Sequence, residues 1–310
     1  KLEDTVVVTP SGFDIYGENA SADLMSPDGQ VTRTFGQARA WLEAGPSTPF
    51  FLFVHTFQVH APYSPPLAYR RYFLTDGDAW VDVPPERGAQ HAEAEHAARN
   101  YDREIRFVDD ELERLLQWME ATGLLERTIV VILSDHGEQF YEHGGLGHGT
   151  LPYEQVLRPP FIVVGPGVPA GRRIAETVAH LDVMPTLLDL AGAPHPPALQ
   201  GESVVPLMLG RLPTGPARAV RPAFSSSWVL PENLLPPALA VRIGSRKLMK
   251  YRTARGEHYE YYDLASDPAE RHDLWAEQGG AAADLRAVLE QREGALAAIQ
   301  QSLTGGAAID

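Results

Sequence analysis

Thr128-Ile129-Val130-Val131-Ile132-Leu133 followed at once by Ser134-Asp135-His136-Gly137-Glu138 is the stretch that decides how this chain is read. A short unbroken run of apolar and β-branched residues, bounded by polar residues and glycine, has the pattern of a buried strand. Its abrupt end puts Asp135 and His136 at the strand's carboxyl end, where ligands bind in an open α/β sheet. A carboxylate and an imidazole emerging together there suit a divalent cation. The plainer alternative is a turn in which Asp135 caps backbone N–H groups and His136 packs.

The neighbouring segments extend the pattern. Upstream, Tyr101, Ile105, Val108, Leu112, Leu115, Leu116 and Met119 recur on one helical face over residues 100–123, with Gly123 as the C-cap. Phe50-Phe51-Leu52-Phe53-Val54 reads as another buried strand that breaks into polar residues at His55. Residues 76–99 read as a polar surface excursion. Downstream, Phe161-Ile162-Val163-Val164 is a third strand, residues 183–191 a helix, and the Pro/Gly-rich residues 192–222 a connection. Residues 239–251 and 258–264 read as two strands separated by residues 252–257, and residues 281–299 as a helix. Strands alternating with helices imply an α/β fold with a mixed, mainly parallel sheet sandwiched by helices. A smaller C-terminal antiparallel-sheet subdomain follows, which places domains at 1–212 and 213–310.

Composition narrows the function. Lys and Arg number 26 against 41 Asp and Glu, a net charge of −15. Nucleic-acid affinity comes from clustered basic residues, so no nucleic-acid partner is expected. An anionic small molecule is still compatible, because a cation or arginine can invert the potential inside one pocket. With no cysteine in the 310 residues, disulfides, thiolate metal sites and a cysteine nucleophile are excluded from them. No apolar run approaches the roughly 20 residues of a membrane span.

Two further histidines stand at strand or loop ends. His148 lies between glycines in Gly144-Gly145-Leu146-Gly147-His148-Gly149, where the backbone can approach a ligand closely. His60 sits in His55-Thr56-Phe57-Gln58-Val59-His60-Ala61-Pro62-Tyr63, beside a stiffening proline. Glu138 and His143 read as groups that order the loop around the metal pair. Asp182 and His180 precede a helix and read as structural. Arg242, Arg246, Lys247, Lys250 and Arg252 read as a solvated basic face. Tyr69, Trp80 and Trp228 are candidates for a substrate rim, with packing as the default.

These segments, in this order, resemble the sulfatase family and the related phosphonate monoester and phosphodiester hydrolases of the alkaline phosphatase superfamily. The resemblance covers essentially the whole chain, from Gly12-Phe13-Asp14 and the strand ending at His55, through His60-Ala61-Pro62-Tyr63-Ser64-Pro65-Pro66, to Ser134-Asp135-His136-Gly137-Glu138, Glu142-His143-Gly144 and Gly147-His148-Gly149. It continues through Arg158-Pro159-Pro160-Phe161 and His180-Leu181-Asp182-Val183-Met184-Pro185-Thr186. It ends at Tyr261-Tyr262-Asp263-Leu264-Ala265-Ser266-Asp267-Pro268-Ala269-Glu270.

The resemblance implies an alkaline-phosphatase/sulfatase-like fold and metal-dependent hydrolysis of sulfate esters. Asp135 and His136 match the family's second pair of metal ligands, with Ca2+ as the expected ion and Mn2+ or Zn2+ as alternatives. Many members carry Asn in the second place, and His there is similar to the phosphonate hydrolase branch. His60 and His148 match the catalytic, substrate-binding residues that meet the anionic head group. The partner implied is a small anionic ester: a sulfate, with phosphate or phosphonate as alternative.

The family's nucleophile is a formylglycine made from Cys or Ser in Cys/Ser-x-Pro-x-Arg. Ser47-Thr48-Pro49 starts that motif but has Phe51 in the place of Arg, and Thr214-Gly215-Pro216-Ala217-Arg218 lies in the wrong order along the chain. The expectation is therefore a fragment that supplies half of an active site, inactive alone. Its unfinished sheet would present an exposed, aggregation-prone edge. A non-catalytic binding relative is the alternative. A periplasmic or extracellular place is favoured over a cytoplasmic one.

Overall fold

A computed structural model describes residues 5–9, 12–16, 30–74, 88–149, 151–211, 222–226, 238–253 and 255–305. Packing separates two units, Lys1–Thr128 with Phe140–Leu146, and Ile129–Gln139 with Gly147–Asp310. The boundary expected at 212/213 falls inside the second unit.

In the first unit, β1 (Thr5–Thr9) lies between β2 (Gly12–Tyr16) and β3 (Phe51–Phe53), antiparallel to both. Helices α1 (Gln30–Glu43) and α2 (Gly88–Ala121) belong to the same unit. Val31 of α1, Tyr69 and Phe107 of α2 form its buried centre, with Phe35, Tyr72 and Val108 packed around them. Helix α2 starts well before residue 100, so part of the expected surface excursion is helical. Ala, Glu and Arg dominate residues 92–99, and these strong helix formers extend the helix without an apolar stripe to announce it. The buried face is also rotated from the expected one. Phe107 and Glu104 are buried while Ile105 is exposed, because Tyr69 and Val31 pack against Phe107. Gly123 ends the helix as expected. Its φ is +70°, its N–H reaches Glu120 O (2.9 Å), and the Leu124 N–H reaches Met119 O (2.8 Å).

In the second unit, β4 (Val130–Leu133) pairs antiparallel with β7 (Phe161–Val164), Val130 facing Val164 and Leu133 facing Phe161. Between them in sequence, β5 (Gln139–Phe140) and β6 (Leu146–Gly147) form a two-stranded ladder, of which Phe140–Leu146 count with the first unit, and α3 (Glu154–Leu157) is a single turn. A parallel return would need a crossover along the sheet. This connection instead leaves and re-enters at one end of the ladder, where the Ser134 N–H meets Pro160 O (3.4 Å). The α/β class and the C-terminal antiparallel sheet are as expected, and among the described residues β1–β2, β1–β3, β4–β7 and the three strand pairs of the C-terminal sheet are all antiparallel. Phe161 and Val163 face a buried cluster of Val204, Leu207 and Met208, the last two in α5 (Val205–Met208). Ile162 and Val164, on alternate positions of β7, are half exposed. The continuous apolar run read as wholly buried is therefore packed on one face only among the described residues.

Helix α4 (Val183–Ala191) precedes a sheet of order β11-β10-β9-β8, formed by β8 (Ala223–Ser226), β9 (Leu239–Ile243), β10 (Arg246–Thr253) and β11 (Gly256–Asp263). The stretch 239–251, expected as one strand, is two, because Gly244 turns the chain at φ +62°. Both faces of this sheet are covered. Val241, Leu248, Tyr259 and Tyr261 pack on Leu285 and Leu289 of α7 (Ala283–Gly305); the short helix α6 (Trp275–Gln278) precedes it. On the opposite face, Ala240, Met249 and Tyr262 pack on Tyr153 and Leu151. Burying side chains such as Leu248 and Met249 contributes roughly 1.5–3 kcal/mol each.

The basic residues expected as a solvated face are corrected in part by the same geometry, Arg252 alone of the five being exposed as expected. Lys247 is 1% exposed, held by Glu270 (2.7 Å) and Glu154 (3.1 Å). Arg242 pairs with Glu154, Arg246 with Asp284, and Lys250 with Glu257 and Glu293. Strand alternation puts Lys247 on the sheet face that receives Tyr153 and Leu151, where only a paired charge is tolerated.

Candidate active site

Where β4 ends, short-range hydrogen bonds set the turn. The Ser134 hydroxyl donates to His136 O (2.8 Å), and the His136 N–H donates to Asp135 Oδ1 (2.9 Å). The Asp135 side chain is 81% exposed, and its Oδ2 stands 3.6 Å from His136 Nε2. His136 Nδ1–H donates to Gly137 O at 2.8 Å. A carbonyl only accepts, so Nδ1 carries the proton and Nε2 is the nitrogen able to ligate. Gly137 is required here, since a Cβ on it would lie 2.1 Å from Gln155 O, and its N–H donates to Val156 O (2.7 Å).

The His148 ring stacks on that of His136, centroids 4.0 Å apart at 34°. Its Nδ1–H donates to Glu138 Oε1 at 2.9 Å, and the Glu138 side chain is only 5% exposed. His180 Nε2–H donates to Ser134 O (3.0 Å) and steadies the strand end. Asp182 is fully buried and accepts the N–H groups of Ala179 (2.9 Å) and Glu202 (2.8 Å), which ties two loop segments together.

Asp135, His136, Glu138 and His148 are thus brought together by one strand end and one glycine-flanked loop. Among the described residues, no group of three or more His, Asp or Glu side chains is arranged to hold a metal ion. What Asp135 and His136 offer is a pair of donors.

His60 and His143 belong to the first unit. The His60 Nδ1–H donates to Ala61 O (2.7 Å), and its ring meets the edge of Phe57 at 5.7 Å. His143 is half buried in the turn between β5 and β6. Past His60, Tyr63 packs against the rings of Tyr101 (5.6 Å) and Phe140 (5.8 Å). Tyr69 is buried and donates to Asp110 (2.9 Å), so it packs and forms no rim; Trp80 and Trp228 lie outside the described residues.

Sequence reasoning missed Glu104. It is 2% exposed on α2, and its Oε1 accepts the Ser64 N–H at 2.6 Å, fixing the segment that follows His60. The available signal was a carboxylate at helical spacing among Tyr101, Phe107 and Val108. Burial pushes its carboxyl up from 4.5 to about 8, opposed only in part by the Ser64 N–H. A carboxyl raised in the native state has no cost below its unfolded value and destabilises progressively as pH rises toward the native one. Glu104→Gln keeps an acceptor for Ser64 and removes that penalty. Its stability gain over the parent is expected to be near zero at pH 4.5 and on the order of a few kcal/mol by pH 8. Urea melts across this range check it; parallel stability curves would contradict the assignment.

Comparison with known proteins gives the family and the fold. The Sulfatase family model matches residues 8–193, and that of N-sulphoglucosamine sulphohydrolase, C-terminal, matches residues 142–297. Arylsulfatase K of Gallus gallus is 32% identical over 168 residues, covering 53% of this chain and 30% of that protein. A solved 2-O GAG sulfatase is 27% identical, with TM-score 0.59 over 66% of this chain and 45% of its own. The phosphonate monoester hydrolase of Agrobacterium radiobacter shares the fold over 93% of this chain and 62% of its own, at TM-score 0.66 and 23% identity. The chain spans about a third of the length of arylsulfatase K. With the Sulfatase model alone matching more than half of its residues, and with the strand-end Asp135-His136 pair in place, the chain belongs to the sulfatase family.

Proposed function

We propose that the protein hydrolyses sulfate esters and that this chain supplies the part of the active site that grips the anionic head group. The observation that carries the reading is the Asp135–His136–His148 cluster at the end of β4 in a chain of the sulfatase family. Cleaving a sulfate ester requires neutralising charge on the non-bridging oxygens and stabilising or protonating the departing alkoxide. Glu138 holds His148 by Nδ1–H, which orients the ring and turns Nε2 to the head group. The role of His60 comes from the family resemblance alone, which gives it the leaving oxygen; its ring is oriented by Ala61 O, and an imidazole is suited to give a proton near neutral pH.

Asp135 Oδ2 and His136 Nε2, 3.6 Å apart, have a spacing compatible with two ligands of one divalent ion at bond lengths of about 2.0–2.2 Å. A nitrogen donor beside a carboxylate suits Mn2+ or Zn2+ better than Ca2+, which prefers oxygens. A bound cation would withdraw charge from the ester oxygens. No Cys/Ser-x-Pro-x-Arg stretch occurs in the 310 residues, so turnover, and the formylglycine that the family resemblance implies, are assigned to the whole protein. No helix among the described residues is long and apolar enough to cross a membrane. A sulfated sugar is the substrate class favoured, following the 2-O GAG sulfatase neighbour.

His136 in place of the commoner Asn favours a second reading, hydrolysis of phosphonate monoesters or phosphodiesters. Assaying the whole protein on an aryl sulfate, a 2-O-sulfated sugar, an aryl phosphonate and an aryl phosphodiester separates the two. Sulfate turnover that is abolished by a chelator and restored by added divalent metal is the expected result. Strong phosphodiester cleavage without sulfate cleavage would reverse the order, and binding without any turnover would leave the non-catalytic relative.

A further inference from the structure

We infer that the C-terminal sheet is the positioning element of the Asp135–His136 turn and acts through residues 151–158, with Lys247 as its central contact. The turn does not stand by itself. Its Gly137 N–H is bonded to Val156 O, and the backbone of Gln155 is so close that no side chain fits at position 137. Residues 155 and 156 lie in α3, a four-residue helix. Isolated helices shorter than about 12–15 residues are marginal in water, so a single turn needs outside support.

That support comes from the antiparallel sheet. Glu154 opens α3, and its carboxylate accepts from Arg242 (2.7 Å) on β9 and Lys247 (3.1 Å) on β10. The Glu154 N–H donates to Glu270 Oε2 (2.6 Å), and Glu270 Oε1 in turn holds Lys247 (2.7 Å). One residue earlier, the Tyr153 hydroxyl donates to Glu260 Oε2 (2.9 Å) on β11. Glu260 also accepts from Tyr262 (2.8 Å) and Tyr251 (2.5 Å), which fixes its own rotamer. Met249 and Tyr262 close the apolar part of the contact against Tyr153 and Leu151. The chain of contact runs from Lys247 and Glu270, through the Glu154 backbone and carboxylate, to α3 and on to the Gly137 amide. Lys247, Glu270 and Glu260 touch no reacting atom in this scheme; they set where Asp135 and His136 stand.

The inference rests on the proposed function only in taking that turn as the head-group site, and its test reads the turn without needing catalysis. Amide hydrogen exchange at Gly137 and the imidazole NMR signals of His136 and His148 would be followed in the parent chain, Lys247→Met, Lys247→Met/Glu270→Met and Arg242→Met. Replacing both members of a buried ion pair with apolar residues is often neutral for stability, so the double variant separates position from folding. Gly137 exchange is expected to rise at least about tenfold in Lys247→Met and in the double variant, with shifted histidine signals, while the double variant melts near the parent. Arg242, only partly buried, should give a smaller change in the same direction and decides the matter should the core variants fail to fold. Unchanged Gly137 exchange in the folded variants, or a rise that follows only the loss of global stability, would overturn the inference. An inactive protein that passes this test would count against the proposed reaction and leave the positioning role intact.

Discussion

His148→Ala is expected to lower kcat for an aryl sulfate by about 10²- to 10⁴-fold in the active protein, with a smaller change in KM. The ring is stacked on His136 at 4.0 Å and held from behind by Glu138 at 2.9 Å, so it is placed before substrate arrives. A group so placed contributes most where charge develops, and its removal should fall on the chemical step. Glu138→Ala leaves the imidazole in place and removes only its anchor, so a loss of about tenfold to a hundredfold is expected. His180→Ala, which loses a bond to Ser134 O, should change kcat less than either. Steady-state kinetics on these three variants checks the ordering. A raised KM with unchanged kcat for His148→Ala would show that the ring serves ground-state binding alone.

Lys247→Met should destabilise the folded chain by about 3–5 kcal/mol, because it strands carboxylates in a space from which water is excluded. Glu270 is fully buried, and among the described residues Lys247 is its side-chain cation. Burial already pushes the Glu270 carboxyl up, with Lys247 the main opposing influence. Removing the ammonium lets it rise further. A carboxyl raised in the native state loses stability as pH climbs through its native value, so the gap between variant and parent should widen from acid to neutral pH. Lys250→Met is the control. Its partners Glu257 and Glu293 are about half exposed, and the expected cost is roughly 1 kcal/mol or less. Urea melts of the two variants at several pH values check both the size and the slope. Equal losses for Lys247 and Lys250 would contradict the burial argument.

Much of the site was legible before any coordinates, because its signals are local. An apolar run that stops at Asp135-His136-Gly137 must deliver those side chains at a strand end, whatever the rest of the chain does. Glycines on either side of His148 mark a loop where backbone comes close, and the Gly123 and Gly192 positions end α2 and α4 where the apolar period stops. Helix α4 and strand β7 fall on the residues expected of them for the same reason.

What escaped the sequence depends on partners far along the chain. Glu104 and Lys247 look like surface charges in a linear reading, since nothing nearby in sequence says that Ser64 or Glu270 will close over them. The rotation of the buried face of α2 depends on Tyr69 and Val31, and the antiparallel return of β7 on where its connection re-enters the ladder. The sequence by itself determined the family, the strand end that carries Asp135 and His136, and the glycine-flanked loop that carries His148. Only the tertiary structure decided which charges are buried, which sheet face meets residues 151–158, and hence what holds the Asp135–His136 turn. Periodicity and turn chemistry act over a few residues, whereas desolvation and ion pairing depend on which distant segments meet.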